Sequence, residues 1–315
     1  TDAGLEHLVH FPQLRSLSLK HVPITDAGLA HLIHLAHLET LEIEGSPIKA
    51  SNLLCLPRKR QLTSLTLSHT QFGDNECQML IEFPVLQALV LNHTPITDCG
   101  LSTLGRIKSL TALQLVGTEV GIDKFPFLPA LQNLDLSNTH VNDVAVLSIA
   151  RLDTLQSLSL RDTKITNASL SDLSKLPALY RLDLSDTAID DEGIRQLSKN
   201  APLVSLDLSC TQVTGSGFRD WPATTVAFAL ILDRTLLDDQ GVAALVSMGQ
   251  FDELSLAHTG VTDASLPHLA QIAINKLDIR DTKITFNGLI SNALPNVSTL
   301  YVTPGQFTAP QISQI

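Results

Sequence analysis

This chain of 315 residues is poor in the features that metal sites, membrane spans and disulfide frameworks require. Its 4 cysteines form no Cys-x-x-Cys pair, so their spacing predicts neither a zinc site nor a dense set of disulfides. No apolar run approaches the roughly 20 residues that cross a bilayer, and residues 1–5 contain no basic stretch ahead of an apolar one. We therefore expect a soluble chain without membrane insertion, and the unpaired thiols slightly favour the cytoplasm.

Positive charge is also scarce. The chain has 21 Lys and Arg against 32 Asp and Glu, which gives a formal net charge of -11. Nucleic-acid affinity depends largely on cationic side chains that neutralise phosphates, so nucleic acid is not an expected partner. The signatures GxSxG, HExxH, GxxxxGK[ST] and GxGxxG are all absent. The sequence therefore predicts no catalytic residue, no cofactor and a chain that is not an enzyme.

What the chain does contain is one pattern repeated from end to end, Leu-x-x-Leu-x-Leu-x-x-Thr-x-Ile/Val-Thr-Asp-x-Gly-Leu-x-x-Leu. Apolar and polar residues first alternate, which predicts a strand, and then follow helical spacing, as in Gly193-Ile194 and Leu197. Each unit is thus predicted to be a strand, a turn and a short helix. The predicted strand segments begin at Leu14, Leu38, Leu62, Leu86, Leu110, Leu131, Leu155, Leu179, Leu203, Ala227, Phe251, Ile274 and Val297.

A unit of this size cannot cover its own apolar face, so stacked units must share one core. We predict a single α/β domain over residues 1–315, with about 13 parallel strands on one face and short helices on the other. Two prolines and a three-residue deletion predict an irregular repeat, a bend or a hinge at 119–130. Residues 303–315 lose the pattern and are predicted to form a tail. Thr1 falls in the middle of a unit, so we expect a preceding segment in the full protein.

The repeats resemble the leucine-rich repeat family over essentially the whole chain. A Thr follows the strand where the commonest members carry Asn and the F-box-associated subclass carries Cys, and this form is similar to repeats of bacterial, in particular planctomycete, proteins. The resemblance implies a horseshoe-shaped solenoid that binds proteins on its concave sheet. The Thr column comprises Thr70, Thr94, Thr118, Thr139, Thr163, Thr187, Thr211, Thr235, Thr259 and Thr282.

Two polar columns have predicted structural roles. A hydroxyl both donates and accepts hydrogen bonds, so the stacked Thr residues are expected to bridge neighbouring turns. The Asp column is predicted to cap helix N-termini, and a cation-binding ladder is the alternative. The Asp column comprises Asp2, Asp26, Asp74, Asp98, Asp143, Asp191, Asp239 and Asp263.

Several ring-bearing residues invite functional interpretations. His69 and His93 end adjacent strands and should stack about 5 Å apart, as a solvated pair or as a weak pH-sensitive binding spot. Histidines near residue 34 do not complete a three-ligand set, so no metal site is predicted. Phe218 and Trp221 replace helix leucines, and we expect them to fill the core rather than to form an exposed aromatic anchor.

The variable strand positions face the concave surface in this architecture and carry the candidate site. An acidic stretch across the middle repeats, with embedded arginines and an exposed apolar side chain, predicts a site for a basic or mixed-charge protein or peptide. A solvated polar face is the alternative. The predicted partner-binding residues are Asp135, Arg161, Arg181, Asp183, Asp207, Ile231 and Asp233.

The leading functional hypothesis is a non-enzymatic scaffold for protein–protein interaction. The alternative is the substrate-recognition module of a larger enzyme or effector, such as a ubiquitin ligase, whose catalytic domain lies outside this chain. Fold resemblance and the absence of catalytic motifs favour the first.

Overall fold

The computed structural model describes residues 1–121, 123–197, 203–219, 221–223, 228–305 and 307. The chain divides into two compact units, Thr1–Ser159 and Leu160–Ile315. The predicted strand start at Ala227 and, in the predicted tail, residues 306 and 308–315 lie outside the described residues.

Among the described residues each repeat contributes one strand, and the resulting number confirms the predicted 13. Within each unit the strands pair in parallel and in chain order. Each unit is therefore an open parallel sheet. The first unit contains β1 (Ser16–Lys20), β2 (Thr40–Glu44), β3 (Ser64–Thr66), β4 (Ala88–Val90), β5 (Ala112–Gln114), β6 (Asn133–Asp135) and β7 (Ser157–Ser159). The second contains β8 (Arg181–Asp183), β9 (Ser205–Asp207), β10 (Ala229–Ile231), β11 (Gln250–Ser255), β12 (Ala273–Asp278) and β13 (Thr299–Tyr301).

Short helices connect most of the strands, as predicted, and many of them are 3-10 helices. The α-helices of the first unit are α1 (Asp2–Leu5), α2 (Asp98–Leu104) and α3 (Asp143–Ile149). Those of the second are α4 (Leu170–Leu173), α5 (Asp191–Leu197), α6 (Asp239–Leu245), α7 (Leu266–Leu269) and α8 (Phe286–Ser291). The 3-10 helices are Glu6–His10, Gly28–His34, Ser51–Cys55, Asp74–Glu82, Asn167–Ser169, Ser216–Phe218, Val246–Met248 and Asp263–Ser265.

The alternation along each strand divides core from surface. In β8, Leu182 is 2% exposed, whereas Arg181 is exposed and Asp183 is half-buried. Register places each such Leu beside its equivalent in the next repeat, for example Leu182 beside Leu206. A buried Leu contributes about 1.5–3 kcal/mol, so the stacked leucines fix which side chains point away from the core. We call the face that points away from the core the open face.

The Thr column closes its own turns rather than bridging neighbouring ones. The hydroxyl of Thr70 donates to the carbonyl of Leu67 at 2.7 Å, and that of Thr211 donates to the carbonyl of Leu208 at 2.6 Å. The same bond recurs along the column. The predicted bridging role is therefore wrong, because the hydroxyl proton satisfies the carbonyl three residues back, just after the strand of the same repeat.

The Asp column, not the Thr column, links neighbouring repeats. Asp263 accepts hydrogen bonds from the backbone N–H and the hydroxyl of Thr285, both at 2.6 Å. Where a side chain caps an α-helix, it belongs to the preceding residue, such as Thr97 at α2 and Asp238 at α6. The prediction that these Asp residues cap the helices of their own repeats is thus wrong, whereas Asp26 and Asp191 accept from N–H groups at the start of the 3-10 helix in the next repeat. The Asp residues that accept from the following repeat are Asp2, Asp26, Asp74, Asp98, Asp191, Asp239 and Asp263.

This link explains the Gly of the Thr-Asp-x-Gly motif. A Cβ added at Gly288 would collide with the carboxylate of Asp263, and one added at Gly100 would collide with that of Asp74. Glycine leaves room for the acidic side chain of the preceding repeat to reach the start of the next helix. The motif is therefore a joint between two repeats.

Two stretches depart from the regular repeat. Residues 119–121 and 123–130 contain no helix, and the ammonium group of Lys108 donates to the carbonyls of Gly105 and Phe127. In the other stretch, Phe218 and Trp221 are 0% and 8% exposed and pack edge to face with ring centroids 5.2 Å apart. The predicted core-filling role of these two aromatic residues is confirmed.

Candidate functional site

Three predicted partner-binding residues form one row on the open face of the second unit. Register pairs Asp183 of β8 with Asp207 of β9, and Asp207 with Ile231 of β10. Paired strands lie about 4.8 Å apart, so the three side chains are direct neighbours. All three are half-buried. We call the two aspartates Asp183 and Asp207, together with the adjacent apolar Ile231, the acidic row.

Each carboxylate of the acidic row is held by a serine two residues later. Asp183 Oδ1 accepts from the backbone N–H and the hydroxyl of Ser185 at 3.0 and 2.6 Å. Asp207 Oδ1 accepts the same pair of bonds from Ser209 at 2.8 and 2.6 Å. The carboxylates are thus oriented before any partner arrives, which lowers the entropic cost of binding.

The electrostatics of this row favour a cation. Burial raises the pKa of Asp207 above its ordinary value, the hydrogen bonds from Ser209 oppose the shift, and the negative charges of Asp183 and Asp233 add to it. A positive group placed beside Asp207 would relieve this repulsion. The chemistry that the row offers is therefore recognition of a cationic side chain next to an apolar contact at Ile231.

The remaining predicted residues of the second unit surround the row without joining it. Arg161 is exposed and pairs with Asp186 at 3.0 Å. Arg181 is exposed on the open face, two residues before Asp183. Asp233 Oδ1 turns towards the next repeat, where the hydroxyl of Ser255 and the backbone N–H of Ala257 donate to it.

Asp135 lies on the open face of the first unit. It pairs in register with Gln114 on one side and Ser159 on the other, and it is half-buried. Its Oδ1 accepts from the backbone N–H and the hydroxyl of Ser137 at 3.0 and 2.5 Å. The first unit therefore carries one copy of the Asp-x-Ser arrangement found in the acidic row.

Sequence reasoning missed a column that borders the open face. Immediately before the Thr position, every repeat from β1 to β12 has a residue with positive φ, which costs a non-glycine residue about 1–2 kcal/mol. The signal was present as a fixed spacing, but glycine occupies it only twice. We call this the rim column: His21, Gly45, His69, His93, Gly117, Asn138, Asp162, Asp186, Cys210, Arg234, His258 and Asp281.

The rim column places polar side chains against their equivalents in the next repeat. The rings of His69 and His93 stack with centroids 4.5 Å apart, which confirms the predicted stacking. His258 pairs with Asp281 at 3.2 Å. Among the residues that the structure describes, no group of three or more His, Cys, Asp or Glu could hold a metal ion.

Within the described part of the chain, none of the helices combines the length and the apolar character needed to span a membrane.

Known leucine-rich repeats match two segments of the sequence. One family model described as leucine rich repeat matches residues 129–189, and another with the same description matches residues 199–218. Among curated proteins, none matches the sequence.

Solved leucine-rich-repeat structures are similar to this chain over most of its length. An internalin (inlF) of Listeria monocytogenes is 21% identical, with a TM-score of 0.68, and the match covers 96% of this chain and 84% of the internalin. A leucine-rich-repeat protein of Leptospira interrogans is 19% identical, with a TM-score of 0.62, over 94% of this chain and 80% of that protein.

A plant receptor shares the same architecture. The Arabidopsis receptor kinase HAESA, solved with the peptide hormone IDA and the co-receptor SERK1, is 18% identical, with a TM-score of 0.55, over 89% of this chain and 48% of HAESA. The matched segments support the leucine-rich repeat family, and the fold of this chain is that of a leucine-rich-repeat solenoid.

Proposed function

We propose that this chain is a non-enzymatic protein-interaction module that binds a basic or mixed-charge protein segment on its open face. In the second unit the acidic row receives a cationic side chain, Ile231 supplies an apolar contact, and Arg181 selects for an acidic group beside it. Asp135 offers an equivalent carboxylate on the first unit.

The observation that carries this proposal is the pairing of Asp183 with Asp207 on adjacent strands, where a serine two residues later holds each carboxylate. Burial and the charges of Asp183 and Asp233 act against the ionised form of Asp207, so the carboxylate costs stability where a neutral side chain would not. A destabilising charge that is fixed in place by Ser209 is typical of a binding surface.

The structural neighbours support the class of partner. HAESA was solved with a peptide hormone and a co-receptor, so a solenoid of this kind holds polypeptide partners. The Thr after the strand and the bacterial neighbours also support our assignment of these repeats to the Thr-containing bacterial subclass.

The test uses a fluorescein-labelled peptide, Lys-Lys-Leu-Lys-Lys, and its Gln-Gln-Leu-Gln-Gln counterpart in anisotropy titrations. We expect the lysine peptide to bind to the wild type. The double variant Asp183→Asn with Asp207→Asn should lower its affinity about 5-fold to 30-fold, which corresponds to the loss of two charge pairs of about 0.5–1 kcal/mol each. Asparagine keeps the Oδ1 that accepts from the serines, so the fold is preserved.

The matched control is Asp153→Asn with Asp172→Asn, which changes the net charge equally away from the open face. It should leave the affinity for the lysine peptide unchanged. Equal losses in the two double variants would mean that only net charge matters, and unchanged affinity in Asp183→Asn with Asp207→Asn would refute the acidic site.

A further inference from the structure

The third repeat of the first unit breaks the core pattern at a single position. Three residues before the first Leu of the strand, the second repeat and the fourth to eighth repeats carry a buried apolar residue, whereas the third repeat carries Lys59, which is only half-buried. The first repeat carries Phe11 at this position, and its side chain is 58% exposed. The buried equivalents are Leu35, Phe83, Ile107, Leu128, Leu152 and Leu176, each at most 4% exposed.

Lys59 leaves a groove where its equivalents fill the core. The groove has a volume of about 730 Å³ and is lined by Arg58, Lys59, Arg60 and Gln61 on one side and by Ile81 and Glu82 on the other, with Leu56 and two prolines completing it. Leu56 is 5% exposed, so the floor is apolar. The groove therefore combines an apolar floor with a charged border.

The charge of this border is opposite to that of the whole chain. Arg58, Lys59 and Arg60 are consecutive in a chain of net charge -11. None of the ion pairs formed by the described residues includes any of the three. Three adjacent cations that form no ion pair among the described residues favour an anionic occupant.

A second observation indicates what kind of anion. Gln61 Oε1 is buried and, among the buried side-chain nitrogen and oxygen atoms of the described residues, it is the one without a hydrogen-bond partner. A buried carbonyl oxygen without a donor costs free energy, and a carboxylate by itself has no donor to offer it. A peptide supplies both groups, because its backbone N–H can donate to Gln61 while its acidic side chains pair with the cations. Glu82 in the lining disfavours a polyanion such as nucleic acid.

We propose that this groove, the Lys59 groove, binds an acidic peptide segment of a partner protein. Carboxylates pair with Arg58, Lys59 and Arg60, a peptide N–H donates to Gln61 Oε1, and an apolar side chain rests on Leu56 and Ile81. The site lies away from the open face and does not depend on the function proposed above.

The test uses a fluorescein-labelled Glu-Glu-Leu-Glu-Glu peptide in anisotropy titrations at low and physiological salt. We expect binding that weakens as salt rises. The key variant is Lys59→Leu, which restores the residue type that the other repeats carry. This variant should fill the groove, raise the midpoint of urea unfolding and lower the affinity for the peptide at least about tenfold. Because the variant is more stable, a loss of binding cannot be attributed to unfolding.

Charge and hydrogen bonding are tested separately. Arg58→Glu with Arg60→Glu should abolish binding of the acidic peptide, while Lys49→Glu with Lys164→Glu, an equal change in net charge at exposed sites, should not. Gln61→Leu should lower the affinity for the peptide severalfold, because it removes the acceptor of the peptide N–H. It should not lower stability, because the oxygen that it removes has no partner within the chain.

Several results would overturn the proposal. These are no binding by the wild type, equal losses in both charge-reversal variants, or retained affinity in Lys59→Leu. Displacement of the peptide by inorganic phosphate or oligothymidylate at lower concentration than by unlabelled peptide would make the occupant an anion or a nucleic acid. Self-association that disappears in Lys59→Leu would make it a second copy of this chain.

Discussion

Replacing Asp191 by Ala removes a link of four hydrogen bonds between two repeats. Its carboxylate accepts from the backbone N–H and hydroxyl of Thr214, from Gly215 N–H and from Gly217 N–H, at 2.6–3.1 Å. A hydrogen bond to a buried charge contributes about 1.5–3 kcal/mol, but Asp191 is half-buried, so about 1 kcal/mol per bond is the better figure. Because water can partly replace the lost acceptor, we expect Asp191→Ala to lower the free energy of unfolding by about 3 kcal/mol.

The chain contains its own probe for this change. Trp221 is the single tryptophan, and its indole N–H donates to the carbonyl of Ile194 in α5, the helix that begins at Asp191. Urea unfolding followed by tryptophan fluorescence therefore reports on the affected repeat. The control is Asp172→Ala, which removes only an ion pair with Lys175 three residues later and should cost less than about 0.5 kcal/mol.

The effect has a defined pH dependence. Burial alone would raise the pKa of Asp191, but hydrogen bonds from Thr214 and Gly217 outweigh it and hold the pKa below its ordinary value of 3.8. A lowered carboxyl pKa stabilises the fold above the unfolded value and loses this effect as pH falls through the folded value. The stability gap between wild type and Asp191→Ala should thus shrink below about pH 4. A gap no larger than that of Asp172→Ala at neutral pH would refute the linking role.

Two further outcomes follow from the same geometry. Gly241→Ala should lower the free energy of unfolding by more than about 3 kcal/mol, because the new Cβ collides with the backbone carbonyl of Thr214. Gly249→Ala has φ +82° and open space around the new Cβ, so it should lower the free energy by only about 1–2 kcal/mol. Thermal denaturation of both variants measures the difference. Asp207→Asn should raise the free energy of unfolding at neutral pH, because the raised pKa of wild-type Asp207 shows that its ionised form is unfavourable in the folded state. This gain should disappear in acid, where the wild-type carboxyl is protonated, and a destabilised Asp207→Asn at neutral pH would contradict the reasoning.

Periodicity made the fold predictable from the sequence, because each position of the repeat has the same environment in every unit. The Leu positions, the strand number and the core role of Phe218 could all be inferred that way. The roles of the Thr and Asp columns could not, since a column shows that a residue type matters but not which atom it contacts. Asp2 and Thr25 are 23 residues apart in sequence, yet they are hydrogen-bonded neighbours at 2.6 Å.

The candidate site was only partly predictable, for a related reason. Register could place Asp183, Asp207 and Ile231 side by side, because strand pairing depends on the repeat alone. Which acid each arginine pairs with depends on side-chain direction at the turn. Arg161 pairs with the rim residue Asp186 of the next repeat rather than with a carboxylate of the acidic row.

Departures from a repeat differ in whether packing compensates for them. Trp221 departs from the pattern, but its ring packs on Phe218 and its N–H is hydrogen-bonded, so the departure serves the core. Lys59 departs at a position that is buried in the neighbouring repeats, and it leaves a groove beside a carbonyl oxygen without a donor. In a solenoid every neighbouring repeat shows what the core requires, so an uncompensated departure lowers stability for no structural gain. Because of this contrast, the Lys59 groove is a stronger candidate for a second binding site than the packed pair of Phe218 and Trp221.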